Sequence, residues 1–457
     1  MSKVLYVHAK GGPPVGYALT RVAARSAVHL LALSELPVTV AAEAARLCDS
    51  VVAHTAAQER DLVGLIAARA REVGADAVVT FSEYAVVAVA EASRLLGLRG
   101  AGPAATLARD KRLMRAAWQR RGIPQPRFRA ITHVAELEEA ARQLTCPLLL
   151  KAAWSAGSTA HQVIGAPGDV RGAWERSRAV MAESALLGFA ELHVAGADED
   201  FIVEEIVSGC AGDWFDGSGW GDYVSVEGVV VDGVFRPVCV SGRMPTVAPF
   251  TERAGITPAA LGSAAQARVV DLARRAVDAL GLENCGTHTE IKLGAHGRMW
   301  VIETAARFGG AMTVPQIEQV FGLDLVGMFT DQLLGRSPVW PSAALTPDDG
   351  EGAAGSLVVL AVNGDGSPWV RRHLWDSAAV VRSAPVGAGS TLSVVAESSL
   401  PDGTAVPVYD PAAGANTMAA MCLLSADRPQ TVVSDFTALV DALPRILPTD
   451  VTEEVRA

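Results

Sequence analysis

The sequence predicts a multidomain protein of α/β and α+β class. Strand-like runs alternate with alanine-rich helical stretches through the first hundred residues, hairpin signals occupy the middle, and a Pro/Gly/Ser-rich stretch precedes a last region of strands. With 457 residues, half of them hydrophobic, the chain has material for about two to four domains with substantial cores.

Residues 4–8, 28–33 and 77–81 read as strands and 59–73 as a helix, the alternation of a parallel layer assigned to residues 1–105. At Leu107 the texture changes: "LARDKRLMRAAWQRRGIPQPRF" is a basic helix closed by Gly122 and followed by Pro124 and Pro126, which opens a second domain over 106–203. There "CPLLLKAAWSAGSTAHQVI" gives strand, small-residue loop and strand, and 168–187 a helix. In 204–336, "YVSVEGVVVDGVFRPVCVSGR" gives two strands turning at Asp232-Gly233. A linker, "SPVWPSAALTPDDGEGAAG", leads into a small domain over 337–457 that ends in a helix over 434–446.

Charge and cysteine usage exclude several classes. The 39 basic and 50 acidic residues give a net charge of −11, which predicts no nucleic-acid partner and no attraction to anionic membranes. Cys48, Cys146, Cys210, Cys239, Cys285 and Cys422 are scattered without a CxxC pair, as in reduced proteins. The start "MSKVLYVHAKGG" lacks the pattern of a secretory leader and no run of 18 apolar residues occurs, so a cytoplasmic location is expected.

The chemistry concentrates in "HTEIKLGAHGRMWVIETAARFGG", residues 288–310. A hairpin turning at Gly294-Ala295-His296-Gly297 would pair residues whose numbers sum to 591, with Glu290 opposite Val301 and Glu303 opposite His288. Period-two alternation then sets Glu290 and Glu303 on one face as diagonal neighbours. At about 6 Å they would repel by roughly 3 kcal/mol at an effective dielectric of about 20, so a divalent cation such as Mg²⁺ or Mn²⁺, Arg307 or water must relieve them. The apolar run "MWVIE" predicts a strand buried on both faces. Arg307 could stabilise a phosphoryl group in transfer, and Gly309 and Gly310 let backbone N–H groups approach an anion.

Lys111 follows Asp110 at the start of the basic helix, and Lys151 ends "PLLLK" before Ser155, Gly157 and Ser158. Either lysine suits nucleotide phosphates beside a small-residue loop. There is no GxxxxGK[ST], and "KGGPPVG" reads as a strand-to-helix loop bordering the substrate. "FIVEEIV" offers either backbone groups for an adenine edge, with Glu204 and Glu205 at its rim, or an apolar strand ending in exposed acids. "GDWFDGSGWGDY" reads as a lid or a packed hairpin tip. Arg243, Glu252 and Arg253 could hold a zwitterionic substrate or form surface ion pairs.

Taken in order, "DKRLMR", Lys151 before its loop, "VEE" at 203–205, "VEGVV" at 226–230, "HTE" and "IETAARFGG" resemble the ATP-grasp superfamily over residues 1–335. The HxE and ExxxR(x)GG pattern is similar to that of L-amino acid ligases and carnosine synthase. The resemblance implies an ATP-grasp fold with an N-terminal preATP-grasp layer and a C-terminal small domain. It also implies a ligase in which ATP activates a carboxylate as an acylphosphate and an amine displaces phosphate. By residue, it implies Glu290 and Glu303 as ligands of Mg²⁺ (or Mn²⁺), and Arg307 with Gly309 and Gly310 as the catalytic group. Lys111, Lys151, Ser155, Gly157 and Ser158 would lie on the ATP phosphates, and Glu204, Glu205 and Val207 at the adenine. Arg243, Glu252, His288 and Ala311 would face substrate, with space beside Gly309–Ala311 for a side chain larger than alanine. The sequence departs from the family at Ala305, where many members have asparagine, and at Ala211, near the usual ribose-binding acid, where Asp213 or Asp216 are the substitutes at hand.

The expected partners are a small-molecule carboxylate, expected to be an amino acid, and an amine, with a homodimer as the assembly considered. The alternatives are a ligase for another carboxylate class and a nucleotide-binding regulator without turnover. A dinucleotide-dependent oxidoreductase is disfavoured, because no GxGxxG follows the first strand.

Overall fold

The structure, a computed structural model, describes residues 1–54, 61–157, 160–186, 200–411 and 413–450. Its first unit alternates β1 (Lys3–His8), α1 (Val15–Ala23), β2 (Ala27–Ala32), α2 (Val38–Leu47), β3 (Ser50–Ala53), α3 (Leu62–Val73), β4 (Ala77–Val79) and α4 (Val86–Leu96). The strands are parallel in the order β3-β2-β1-β4. Central β1 is fully buried from Val4 to Val7, as a strand with helices on both faces must be. The expected strand over 77–81 stops at Val79, where the chain turns toward Glu83. The backbone N–H of Ala9, just past β1, donates to Ser82 Oγ at 3.0 Å and ties the carboxyl ends of β1 and β4 together. That edge is where open α/β layers place ligands.

The basic helix expected from Leu107 is two helices, α5 (Ala105–Arg109) and α6 (Lys111–Arg120). They break at Asp110, whose carboxylate accepts from the N–H groups of Arg112 and Leu113 and so caps α6. The second unit then adds β5 (Phe128–Ile131), α7 (Val134–Gln143), β6 (Leu148–Ala152), β7 (Gln162–Ile164), α8 (Val170–Leu186) and β8 (Phe201–Glu205). Its antiparallel sheet runs β5-β8-β6-β7, and Trp174 of α8 packs on Phe201 with ring centroids 4.9 Å apart. The domain border expected after residue 203 falls inside β8, which pairs on both sides within this unit.

The remaining strands are β9 (Tyr223–Val231), β10 (Val234–Arg243), β11 (Ala254–Thr257), β12 (Cys285–Leu293), β13 (Met299–Ala305), β14 (Ala353–Val359), β15 (Thr391–Val394) and β16 (Ala420–Ala426). With them come α9 (Ser263–Asp278), α10 (Thr313–Phe321), α11 (Leu325–Leu333), α12 (Ser377–Ser383) and α13 (Pro429–Ile446). The β9–β10 turn has Asp232 at φ +46° and Gly233 at φ +81°, the consecutive left-handed residues that a tight hairpin needs. All eight strands form one sheet, β13-β12-β9-β10-β11-β14-β16-β15. Antiparallel pairing of β11 with β14 carries that sheet across the border expected at residue 337, so the C-terminal segment extends the large sheet.

The loop over 212–223 is packed. Trp214, Phe215 and Trp220 are buried, Phe215 and Trp220 stack at 4.7 Å, and Trp220 Nε1 donates to Gln430 Oε1 on α13 at 2.8 Å. The loop is packed rather than a free lid, but the strands on either side of it, β8 and β9, lie in different sheets, so it is not a hairpin tip either. Among the described residues, no helix is long and apolar enough to cross a membrane.

Candidate active site

The two glutamates meet across strands, through a register the sequence did not predict. The turn spans five residues, Gly294 to Arg298, closed by the Gly294 N–H donating to Arg298 O at 2.8 Å, with His296 at φ +57°. This odd length pairs Ile291 with Val301 and Leu293 with Met299, numbers summing to 592 rather than 591. Continued unchanged, that register would send the glutamates to opposite faces. A bulge at Ile302 adds one residue to β13, and Glu290 pairs directly with Glu303 and His288 with Ala305. β13 is also the edge of the sheet and only half-buried at Met299, Trp300, Ile302 and Glu303, not buried on both faces. The Val301 N–H instead donates to Pro124 O at 2.9 Å, so the connector after α6 covers that edge.

One face of β9, β10, β12 and β13 carries a continuous polar chain. Glu252 pairs with Arg243, whose Nη2 donates to Ser225 Oγ at 2.9 Å. Ser225 Oγ donates to Glu227 Oε1 at 2.6 Å, His288 Nδ1 lies 2.8 Å from the same oxygen, and His288 Nε2 lies 3.6 Å from Glu290 Oε1. Burial would strip His288 of its proton, yet Glu227 and Glu290 hold its pKa up at about 9. Desolvation likewise favours a neutral Glu290, but His288, Arg243 and Lys151 bring its pKa down to about 2. Glu303 has its own counter-charge, Lys111 Nζ, at 3.2 Å. The pair is therefore a charged, cation-flanked dicarboxylate of hard oxygen donors. Among the described residues no group of three or more His, Cys, Asp or Glu side chains is arranged as a metal cage, so further ligands for a cation there would be water or phosphate oxygen.

On the facing unit, Lys151 Nζ lies 2.8 Å from Glu204 Oε2, and Arg115 Nε lies 2.5 Å from Glu204 Oε1. Burial pushes the Glu204 pKa up, but the two cations win and lower it to about 2. Glu204 is therefore an internal anchor for Lys151, not an exposed acid at a strand end. Glu205, on the other face, accepts from the Thr145 N–H at 2.8 Å and from Arg127 at 2.9 Å, and Val207 lies half-buried just beyond β8. The Ser155 carbonyl accepts from Lys111 Nζ at 2.5 Å, and Gly157 turns with φ +64° into open space. Ser158 lies outside the described residues.

Arg307 reaches across to the first unit. Its Nε sits 2.5 Å from Glu83 Oε2, whose other oxygen lies 3.6 Å from Arg109 Nε. Burial opposes the charge on Glu83, but Arg307 and Arg109 hold its pKa below the ordinary carboxylate value. Gly11 and Gly12 border this corner. A Cβ on Gly11 would meet Glu83 Cβ at 3.0 Å, and one on Gly310 would lie 3.7 Å from Gly12 N. Gly309 has no free space: a Cβ there would stand 2.7 Å from Thr313 Cγ2 and 2.9 Å from Glu227 Oε2. Gly309 is thus packed too closely to carry a side chain of its own. Ala311 holds φ +52° just before α10.

Arg253 faces away from Arg243, donating to Asn363 O at 2.8 Å, and Asp213 accepts from the His296 N–H at 2.7 Å in the β12–β13 turn. Glu83, Arg115 and Glu227 escaped the sequence reading. Arg115 stands four residues after Lys111, hence on one helix face with it. Glu227 was a lone charge in an apolar strand, and Glu83 an acid just past the carboxyl end of a parallel strand.

No protein-family model matches the chain. It is 35% identical over 289 residues to the alanine–anticapsin ligase of Bacillus subtilis, covering 63% of this chain and 60% of that protein. It is 25% identical over 229 residues to the D-alanine–D-alanine ligase of Pseudomonas putida, covering 48% of this chain and 62% of that one. The chain thus spans about 60% of the length of these curated relatives. In fold it resembles the crystal structure of an L-amino acid ligase from Bacillus licheniformis, with a TM-score of 0.70 at 16% identity over 98% of both chains. It also resembles N5-carboxyaminoimidazole synthase from Aspergillus clavatus, in complex with ADP and its ribonucleotide, with a TM-score of 0.64 at 14% identity over 97% of this chain and 99% of that one. The fold and these similarities agree: the chain has the ATP-grasp fold and is similar in sequence to amino-acid ligases over part of their length.

Proposed function

We propose that the protein is an ATP-dependent ligase that joins an amino-acid carboxylate to an amine through an acylphosphate, releasing ADP and phosphate. The observation that carries this reading is the Glu290–Glu303 cross-strand pair, with Lys111 on Glu303 and the charge of Lys151 acting on Glu290. Lys111 and Lys151 would receive the nucleotide phosphates, Lys151 in a position held by Glu204. Glu290 and Glu303 fit Mg²⁺, which when bound would neutralise phosphate charge. Mn²⁺ has the same donor preference.

In the first step a carboxylate oxygen bonds to the γ-phosphorus as the bond to ADP's bridging oxygen breaks. In the second, an amine nitrogen attacks the acyl carbon and loses a proton, and the carbon–oxygen bond to phosphate breaks. Arg307 is the group for the negative charge in both steps, and Glu83 sets where its guanidinium starts. Arg243 and Glu252, at the far end of the polar chain, would meet the charged ends of an amino acid. The catalytic work is positioning and electrostatics, so no nucleophilic side chain is required.

The test is a matrix of carboxylates and amines with Mg²⁺ and ATP, reading ADP release and product mass. ADP should form only when both substrates are present, and Glu303→Gln should lower its rate at least about 10³-fold. Tight ATP binding with no ADP from any pair would point to a regulator, and normal turnover by Glu303→Gln would remove the metal assignment.

A further inference from the structure

We propose that His161 is a further nucleotide ligand, hydrogen-bonding the terminal phosphates beside Lys151; this rests on the ATP reading above. The β6–β7 register pairs Leu148 with Ile164, Leu149 with Val163 and Leu150 with Gln162. One step further, the same register sets His161 across from Lys151, on the face that carries the lysine. The backbone before it is fixed: Ala160 is fully buried at φ +62°, and its carbonyl accepts from Ser177 Oγ at 2.8 Å.

His161 Nδ1 is buried and has no hydrogen-bond partner among the described residues. Buried polar atoms are almost always paired, so a nitrogen left without a partner close to two lysines awaits an acceptor or donor from outside the chain. Burial, and then Lys151 and Lys111, push the imidazole pKa well below its usual value, so the ring is neutral near pH 7. A neutral imidazole keeps one N–H to donate, and adds a phosphate contact without adding repulsion between itself and two lysines.

Calorimetric titration of the full chain with ATP and with AMP, in Mg²⁺ and without carboxylate or amine, tests the assignment separately from catalysis. His161→Ala should weaken ATP about tenfold while AMP, which lacks the outer phosphates, stays within about twofold. His161→Asn, which keeps an N–H donor, should recover most of the ATP affinity. Equal losses for ATP and AMP would reduce His161 to a packing role and overturn the inference, as would unchanged ATP affinity. If His161→Ala melts early, the same contrast measured on His161→Asn and His161→Leu decides. Wild-type protein that binds no ATP would overturn the parent reading along with this one, whereas wild-type binding with an indifferent His161→Ala would overturn this one alone.

Discussion

Glu204→Gln should loosen the unit that presents Lys151, by an amount the structure allows to be worked out. In the folded chain the Glu204 carboxylate is buried between Arg115 and Lys151, and its pKa falls from 4.5 to about 2. At about 1.4 kcal/mol for each pH unit, that drop corresponds to about 3 kcal/mol of stability. Removing one member of a buried ion pair costs about 3–5 kcal/mol, the same range, because the remaining charges stay buried without a partner. The folded pKa is depressed, so this stability is fully present above the unfolded value near 4.5 and is lost as pH falls from there toward 2.

Denaturant unfolding of nucleotide-free protein, with hydrogen exchange over β6 and β8 to localise the effect, measures it. The variant should lose about 3 kcal/mol at pH 7. Its stability over those strands should also depend less on pH below about 5 than the wild type's. A second change, Lys151→Met, should add little further loss, because the lysine's partner is already gone. A variant within about 1 kcal/mol of wild type at pH 7 would refute the claim that this triad anchors the lysine.

Gly309→Ala tests the close packing behind Arg307. A Cβ 2.7 Å from Thr313 and 2.9 Å from Glu227 must displace the backbone, so ADP release should fall about 10²-fold, while a variant at normal rate would show that this backbone is free to move. Glu83→Gln leaves Arg109 and Arg307 facing a neutral group. Its kcat should drop about 10²- to 10³-fold with ATP affinity changed less than about twofold, and equal losses in both would mean that Glu83 serves the fold rather than Arg307.

The sequence by itself determined the parallel first layer, the Asp232-Gly233 hairpin and the residue types at the site. Each of these is a local signal: a period of apolar residues, a pair of residues that tolerate positive φ, or lysines beside small-residue loops. It also brought Glu290 and Glu303 to one face, although by a register that the structure replaces. The five-residue turn and the bulge at Ile302 each shift the pairing by one, and together they restore the parity that a shorter turn would have given. A bulge depends on what covers the strand edge, here Pro124 and Arg115, which lie far away in the chain.

Only the tertiary structure decided what each charge answers. Glu204 became the anchor of Lys151 because β6 and β8 are neighbours in the sheet, and α6 adds Arg115 from above. Glu83, 224 residues before Arg307 in sequence, is its partner because the carboxyl edge of the first layer closes against the segment between β13 and α10. The C-terminal strands likewise joined the large sheet through β11, since an unpaired edge beside an apolar helix face is better covered than left in water. Local periodicity names the groups that can do this chemistry, and contacts between distant segments decide which of them face one another.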